Sequence, residues 1–105
     1  MSRNKGKVGE REAAELLRNY GFDARRGVQF QGGPDSPDVV GLPGHHIEVK
    51  RCEALSVYTA LEQATADRAE GLVPVVLHRR NNRQWIAVLN ATDYLMLVRR
   101  AQRAT

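Results

Sequence analysis

Ser36-Pro37-Asp38-Val39-Val40-Gly41-Leu42-Pro43-Gly44-His45-His46-Ile47-Glu48-Val49-Lys50 sets two short apolar runs on either side of a Pro-Gly turn. Asp38 opens the first run, and Glu48 and Lys50 alternate with Ile47 and Val49 in the second. Successive side chains of an extended strand point to opposite faces, so Glu48 and Lys50 share one face and Ile47 and Val49 the other. The turn predicts a hairpin with strands over Asp38–Leu42 and His46–Lys50. If the turn holds an odd number of residues, such as Leu42-Pro43-Gly44, Asp38 lies directly across from Glu48, with Cβ atoms about 4.5–5.5 Å apart. An even turn sends Asp38 to the other face.

Working outward, Val8, Ala13, Leu16, Leu17 and Tyr20 form one stripe and predict a helix over Val8–Tyr20 that Gly21 stops, after a loose polar segment over 1–6. Phe22–Phe30 alternates loosely through Phe22, Ala24, Val28 and Phe30 and reads as a first strand broken near Gly27, with a loop over 31–36. Downstream, Ser56 caps a helix reaching Glu70, with Tyr58, Leu61, Ala64, Thr65 and Ala69 inward and Gly71 ending it. Leu72–His78 reads as a buried strand, Arg79–Arg83 as a basic turn and Gln84–Leu89 as another strand. Thr92 or Asp93 starts a last helix with Tyr94, Leu95, Leu97 and Val98 inward. The order α-β-β-β-α-β-β-α, without internal repeat or dividing linker, predicts one α/β domain over 1–105 with a central mixed sheet flanked by helices.

Charged residues make up 27% of the 105, the net charge is +4, and the cations come in groups: Arg3, Lys5 and Lys7, Arg25 and Arg26, Lys50 and Arg51, Arg79, Arg80 and Arg83, and Arg99, Arg100 and Arg103. Such grouping points to an anionic partner, nucleic acid being the commonest, or else to a solvated cationic face. Arg99, Arg100 and Arg103 can simply offset a helix C-terminal dipole. One cysteine, Cys52, excludes an internal disulfide framework and a thiolate zinc cluster and fits a reducing compartment. Neither a membrane span nor the apolar segment of a secretory signal is present, so a cytoplasmic location is expected.

Two carboxylates beside one ammonium, in a basic chain, are the minimal kit for phosphodiester hydrolysis. Mg²⁺ takes oxygen ligands and often only one or two protein carboxylates, which Asp38 and Glu48 could supply. Lys50 projects to the same side, where an ammonium can orient an attacking water or balance charge on the scissile phosphate. Pro37 lacks an N–H and suits the start of a strand.

Ser36-Pro37-Asp38-Val39-Val40 with Ile47-Glu48-Val49-Lys50 resembles the core motif of the PD-(D/E)XK nuclease superfamily, whose fold is the restriction-endonuclease-like core. Lys5-Gly6-Lys7-Val8-Gly9-Glu10-Arg11-Glu12, followed by a helix and Tyr20-Gly21-Phe22, resembles the opening of archaeal-type Holliday junction resolvases and their small phage-encoded relatives. The resemblance implies Mg²⁺-dependent cleavage of DNA (Mn²⁺ substituting), often of branched DNA, by a homodimer acting in recombination and repair. It makes Asp38 and Glu48 metal ligands, helped by the Val49 carbonyl, with Lys50 positioning the water. Glu10 matches the acid of the first helix, Glu12 being the second choice. Gln63 resembles a polar residue that members direct into the site, or is a solvated side chain. Lys5, Lys7, Arg25, Arg26, Arg51, Arg79, Arg80 and Arg83 are then candidate DNA contacts. The serine that archaeal resolvases carry before the Asp has no clear counterpart, Gln31 and Ser36 being nearest.

Other residues read more plainly. Asp35 is a turn residue, His45 and His46 belong to a solvent-facing turn, Cys52 is a small strand-end residue, and Trp85 is core. The alternatives to a resolvase are another nuclease of the superfamily, VRR-NUC-like or nicking, or a catalytically silent DNA-binding module of the same fold.

Overall fold

The computed structural model describes residues 2–27 and 36–104. Helix α1 (Ser2–Asn19) is followed by strands β1 (Arg25–Arg26), β2 (Val39–Val40) and β3 (His45–Arg51), helix α2 (Val57–Asp67), strands β4 (Val73–Arg79) and β5 (Ile86–Val88), and helix α3 (Ala91–Arg103). The element order is the one expected. The strands form one sheet in the order β1-β2-β3-β4-β5, parallel between β3 and β4 and antiparallel elsewhere. This α/β architecture, a five-stranded mixed sheet flanked by three helices, is consistent with a restriction-endonuclease-like core. The expected run of the first strand through Val28 and Phe30, the loop with Gln31, and Asp35 lie outside the described residues.

Alternation along β3 and β4 builds two cores. Ile47, Val75 and Leu77 face α1 and pack with Ala13, Ala14, Ala24 and Val39, with Trp85 half-buried against them. Val76 faces the other way, against Ala60, Leu61 and Ala64 of α2. Because β4 is covered on both faces, it reads as a continuous apolar run. Pro74 is tolerated inside it for a specific reason. Val73 donates its N–H to Gly44 O on the β3 side, so position 74 faces β5, whose ladder starts only at Val76–Val88.

The helices depart from the expected stripes. Helix α1 begins at Ser2, ahead of the expected start at Val8, and its buried line is Gly9, Ala13 and Ala14, while Val8 and Tyr20 are exposed. The cause is close approach: a Cβ at position 9 would meet Arg51 Cβ at 2.5 Å, so only the smallest residues fit the contact line. Its C-terminus closes as foreseen, with Gly21 at φ 93 and paired bonds from Gly21 N–H to Arg18 O and from Phe22 N–H to Leu17 O. Helix α2 ends at Asp67 rather than Glu70, and Tyr58, expected inward, is exposed because Ala60 and Ala64 take the sheet contact. Helix α3 differs most. It buries no residue, and Tyr94, Leu95 and Val98, expected inward, are exposed, with only Leu97 half-buried among them. Asp93 in its first turn and Arg100 and Arg103 in its last suit the helix dipole.

The β2–β3 turn depends on glycine at two positions that differ in kind. Gly41 (φ 111) lies against the backbone of Asp23 and Ala24, where a Cβ would collide, whereas Gly44 (φ 78) borders open space. Gly44→Ala is therefore expected to cost about 1 kcal/mol from backbone conformation alone. Gly41→Ala should cost at least twice that. Urea unfolding of both variants measures the difference, and equal costs would show that the contact with Asp23 does not hold the turn.

Candidate active site

Val39 pairs with Ile47, the register that an odd turn requires, and Asp38, just before the paired residues, is near enough for its charge to act on Glu48. The Asp38 backbone is fixed on both sides: its N–H donates to Ile47 O at 2.9 Å, and its carbonyl accepts from Gly27 N–H at 2.8 Å. The carboxylate is fixed too, Oδ2 accepting from Val49 N–H at 2.8 Å. A residue's N–H and C=O lie on the same side of an extended strand, so the Val49 carbonyl faces this β2 edge as well. Lys50 follows Glu48 on the same face and its charge acts on both carboxylates. Among the described residues, no group of three or more His, Cys, Asp or Glu side chains is disposed to cage a metal. A pair of carboxylates is instead the donor set an oxygen-seeking, largely hydrated dication uses.

The electrostatics fit such an ion. Burial pushes the Asp38 carboxyl above its usual value; the Val49 N–H opposes this, the Glu10 charge adds to it, and Lys50 opposes it. Burial, then the charge of Asp38, pushes Glu48 from 4.5 to about 7, with Lys50 pulling down and Asp67 pushing up. A half-buried acid raised by the charge of its neighbour is the arrangement that a cation between them would relieve.

Glu10 reaches this edge from α1. Its Oε1 accepts from Arg26 Nε at 2.9 Å, and its side chain also hydrogen-bonds Asp38. Glu12, two residues on, turns elsewhere. Its Oε1 accepts from Arg51 Nε at 3.2 Å and Arg79 Nη1 at 3.0 Å, tying α1 to β3 and β4. Arg51 also donates to Arg79 O and Asn81 Oδ1, and Arg79 to Arg83 O. Three of the expected DNA contacts (Arg26, Arg51 and Arg79) thus hold carboxylates within the fold. Lys7, Arg25, Arg80 and Arg83 are exposed, the last two on the β4–β5 turn, and Lys5 lies on α1. Gln63 is exposed on α2 and has no hydrogen bond to the carboxylates.

Two residues near the carboxylates escape a reading of the sequence. His46 is no turn residue: it is 1% exposed on β3, with Nε2 3.0 Å from Glu48 Oε2. Asp67 acts on Glu48 from the last turn of α2. For His46 the available signal is its two-residue spacing from Glu48, which places both on one face. Asp67 gives none, since its approach depends on how α2 crosses the sheet. His45 bonds Pro43 O through Nδ1, and Cys52 follows β3 with Sγ on Ala54 O.

The family model described as archaeal Holliday junction resolvase (hjc) matches residues 1–99. Comparisons with curated proteins and with solved structures give no significant match. No helix among the described residues is long and apolar enough to cross a membrane.

The raised Glu48 value has a thermodynamic consequence. An unfolded glutamate loses its proton near 4.5, and the folded one keeps it to about 7. The folded state therefore binds more protons in that window, and the stability so gained is lost as pH rises from 4.5 to 7. Metal-free protein should lose about 2–3 kcal/mol across this range through Glu48. Glu48→Gln, neutral throughout, should lose correspondingly less. Unfolding at pH 5 and pH 8 in chelator checks this, and parallel curves for the two proteins would contradict it.

Proposed function

Because the chain belongs to the archaeal Holliday junction resolvase family, we propose that it is a divalent-metal-dependent endonuclease that cuts DNA strands at four-way junctions. The observation that best supports this is the pair of carboxylates Asp38 and Glu48 at one edge of the hairpin, with Lys50 acting on both and Glu48 pushed up to about 7 by burial and the Asp38 charge. Asp38, Glu48 and the Val49 carbonyl would hold Mg²⁺, or Mn²⁺ in its place. When bound, the ion supplies a water of lowered pKa and neutralises charge on the phosphate.

The chain's own residues do the rest. The Val49 N–H holds Asp38 in place, and Lys50 orients the attacking water and offsets charge building on the phosphate oxygens. Glu10, steadied by Arg26, closes the site from α1. Lys7, Arg25, Arg80 and Arg83 track the DNA backbone, so binding weakens steeply with salt. A junction has two strands to cut, and a homodimer meeting through the exposed apolar side of α3 (Tyr94, Leu95, Val98) would present two such sites.

Asp38→Ala and Glu48→Ala should each lower cleavage of a four-way junction by about 10²–10³-fold or more with junction binding kept. Four-way, flap and linear duplex DNA, assayed side by side with Mg²⁺, make the measurement. Full cleavage by either variant would remove the assignment, and faster cutting of flap or duplex would make the chain a nuclease of different preference.

A further inference from the structure

We propose that His46 is a positioning residue for Glu48: its Nε2–H grips Oε2 and so presents Oε1 to the divalent ion. The inference rests on the metal reading of the Asp38–Glu48 pair but concerns a residue which that reading does not use. Position 46 is 1% exposed and lies beside Pro74 in the parallel register between β3 and β4. An aliphatic side chain would occupy such a place without giving up hydrogen bonds to water. An imidazole is offset there only by a good partner, and the partner is Glu48 Oε2 at 3.0 Å. An ionised carboxylate can only accept, so the proton of this bond sits on Nε2.

Glu48 needs such a restraint. Asp38 and Asp67 repel it, Lys50 attracts it and the Asp38 backbone N–H bonds it, and these influences pull a three-torsion side chain in different directions. Asp38 has its own anchor in the Val49 N–H. His46 is the counterpart for Glu48, and a strand supplies it at the two-residue spacing that brings side chains to one face. Outer partners of metal-binding side chains typically govern affinity by 10–100-fold.

The test compares His46→Met, which keeps the volume without a donor, with His46→Gln, whose amide N–H can restore one. Mn²⁺ affinity is measured by calorimetry on the full chain without DNA. His46→Met should bind Mn²⁺ at least about tenfold more weakly and His46→Gln within a few-fold of the parent. Metal-free thermal unfolding of His46→Met should stay at or above that of the parent. Parent-like affinity in His46→Met, or equal weakening in both variants, overturns the proposal. Should His46→Met fail to fold, nitrogen-15 spectra of the parent at pH 8 decide: a proton on Nε2 supports the role, and a bare Nε2 overturns it. Glu48→Gln separates the two readings. If it binds Mn²⁺ as the parent does, the metal reading falls; if it loses Mn²⁺ while His46→Met does not, only the role of His46 falls.

Discussion

The pairing of Val39 with Ile47 determines where every group of the site stands. Both side chains are 1% exposed beneath α1, so a slip of one residue would carry two core residues into the polar face and Asp38 away from Glu48. The tight turn over 41–44 supports the same register from its other end, with Gly41 pressed on Asp23 and Ala24 and His45 N–H closing on Leu42 O. Hydrophobic burial on one face of the hairpin thereby fixes the distance between two acids on the other. Burial is what holds like charges together here, against their own repulsion.

Helix α1 completes the site because it lies so close to the sheet. Gly9 lets the helix backbone approach Arg51, and from that height two glutamates two residues apart reach separate places. Residues at i and i+2 do not share a helix face. Glu10 goes to the β2 edge and Asp38, while Glu12 goes to Arg51 and Arg79 across β3 and β4. The cations that would dominate a charge map are thus in part internal fastenings. The exposed positive charge of the described side chains is carried by Lys7, Arg25, Arg80 and Arg83, and by Arg11, Arg18, Arg99, Arg100 and Arg103.

Much of the fold was legible from residues 36–50, because alternation and turn length are local properties that a strand pair must obey. Counting through Pro43 left two registers, and the pairing of Val39 with Ile47 is the odd one. Properties that depend on distant neighbours were not legible. Amphipathic spacing in α3 marks an apolar side but cannot say whether this chain covers it, and Tyr94 and Leu95 remain outside. Arg51 and Arg79 read as surface charge because Glu12 lies far away in sequence. His46 reads as part of a wet turn beside Pro43-Gly44, yet it lies inside β3 next to β4, where its imidazole is buried.

Strand β3 carries His46, Glu48 and Lys50 on one face, each separated from the next by two strand rises of about 3.3 Å. The active-site spacing is therefore metric, written in the pitch of one backbone rather than in the shapes of packed side chains. Neighbouring residues on the α1 face can be exchanged for others of similar bulk without moving the marks on this ruler. Adding or deleting a single residue between 46 and 50 would rotate half of the set through the sheet, leaving the chain's composition almost intact and its chemistry divided between two sides.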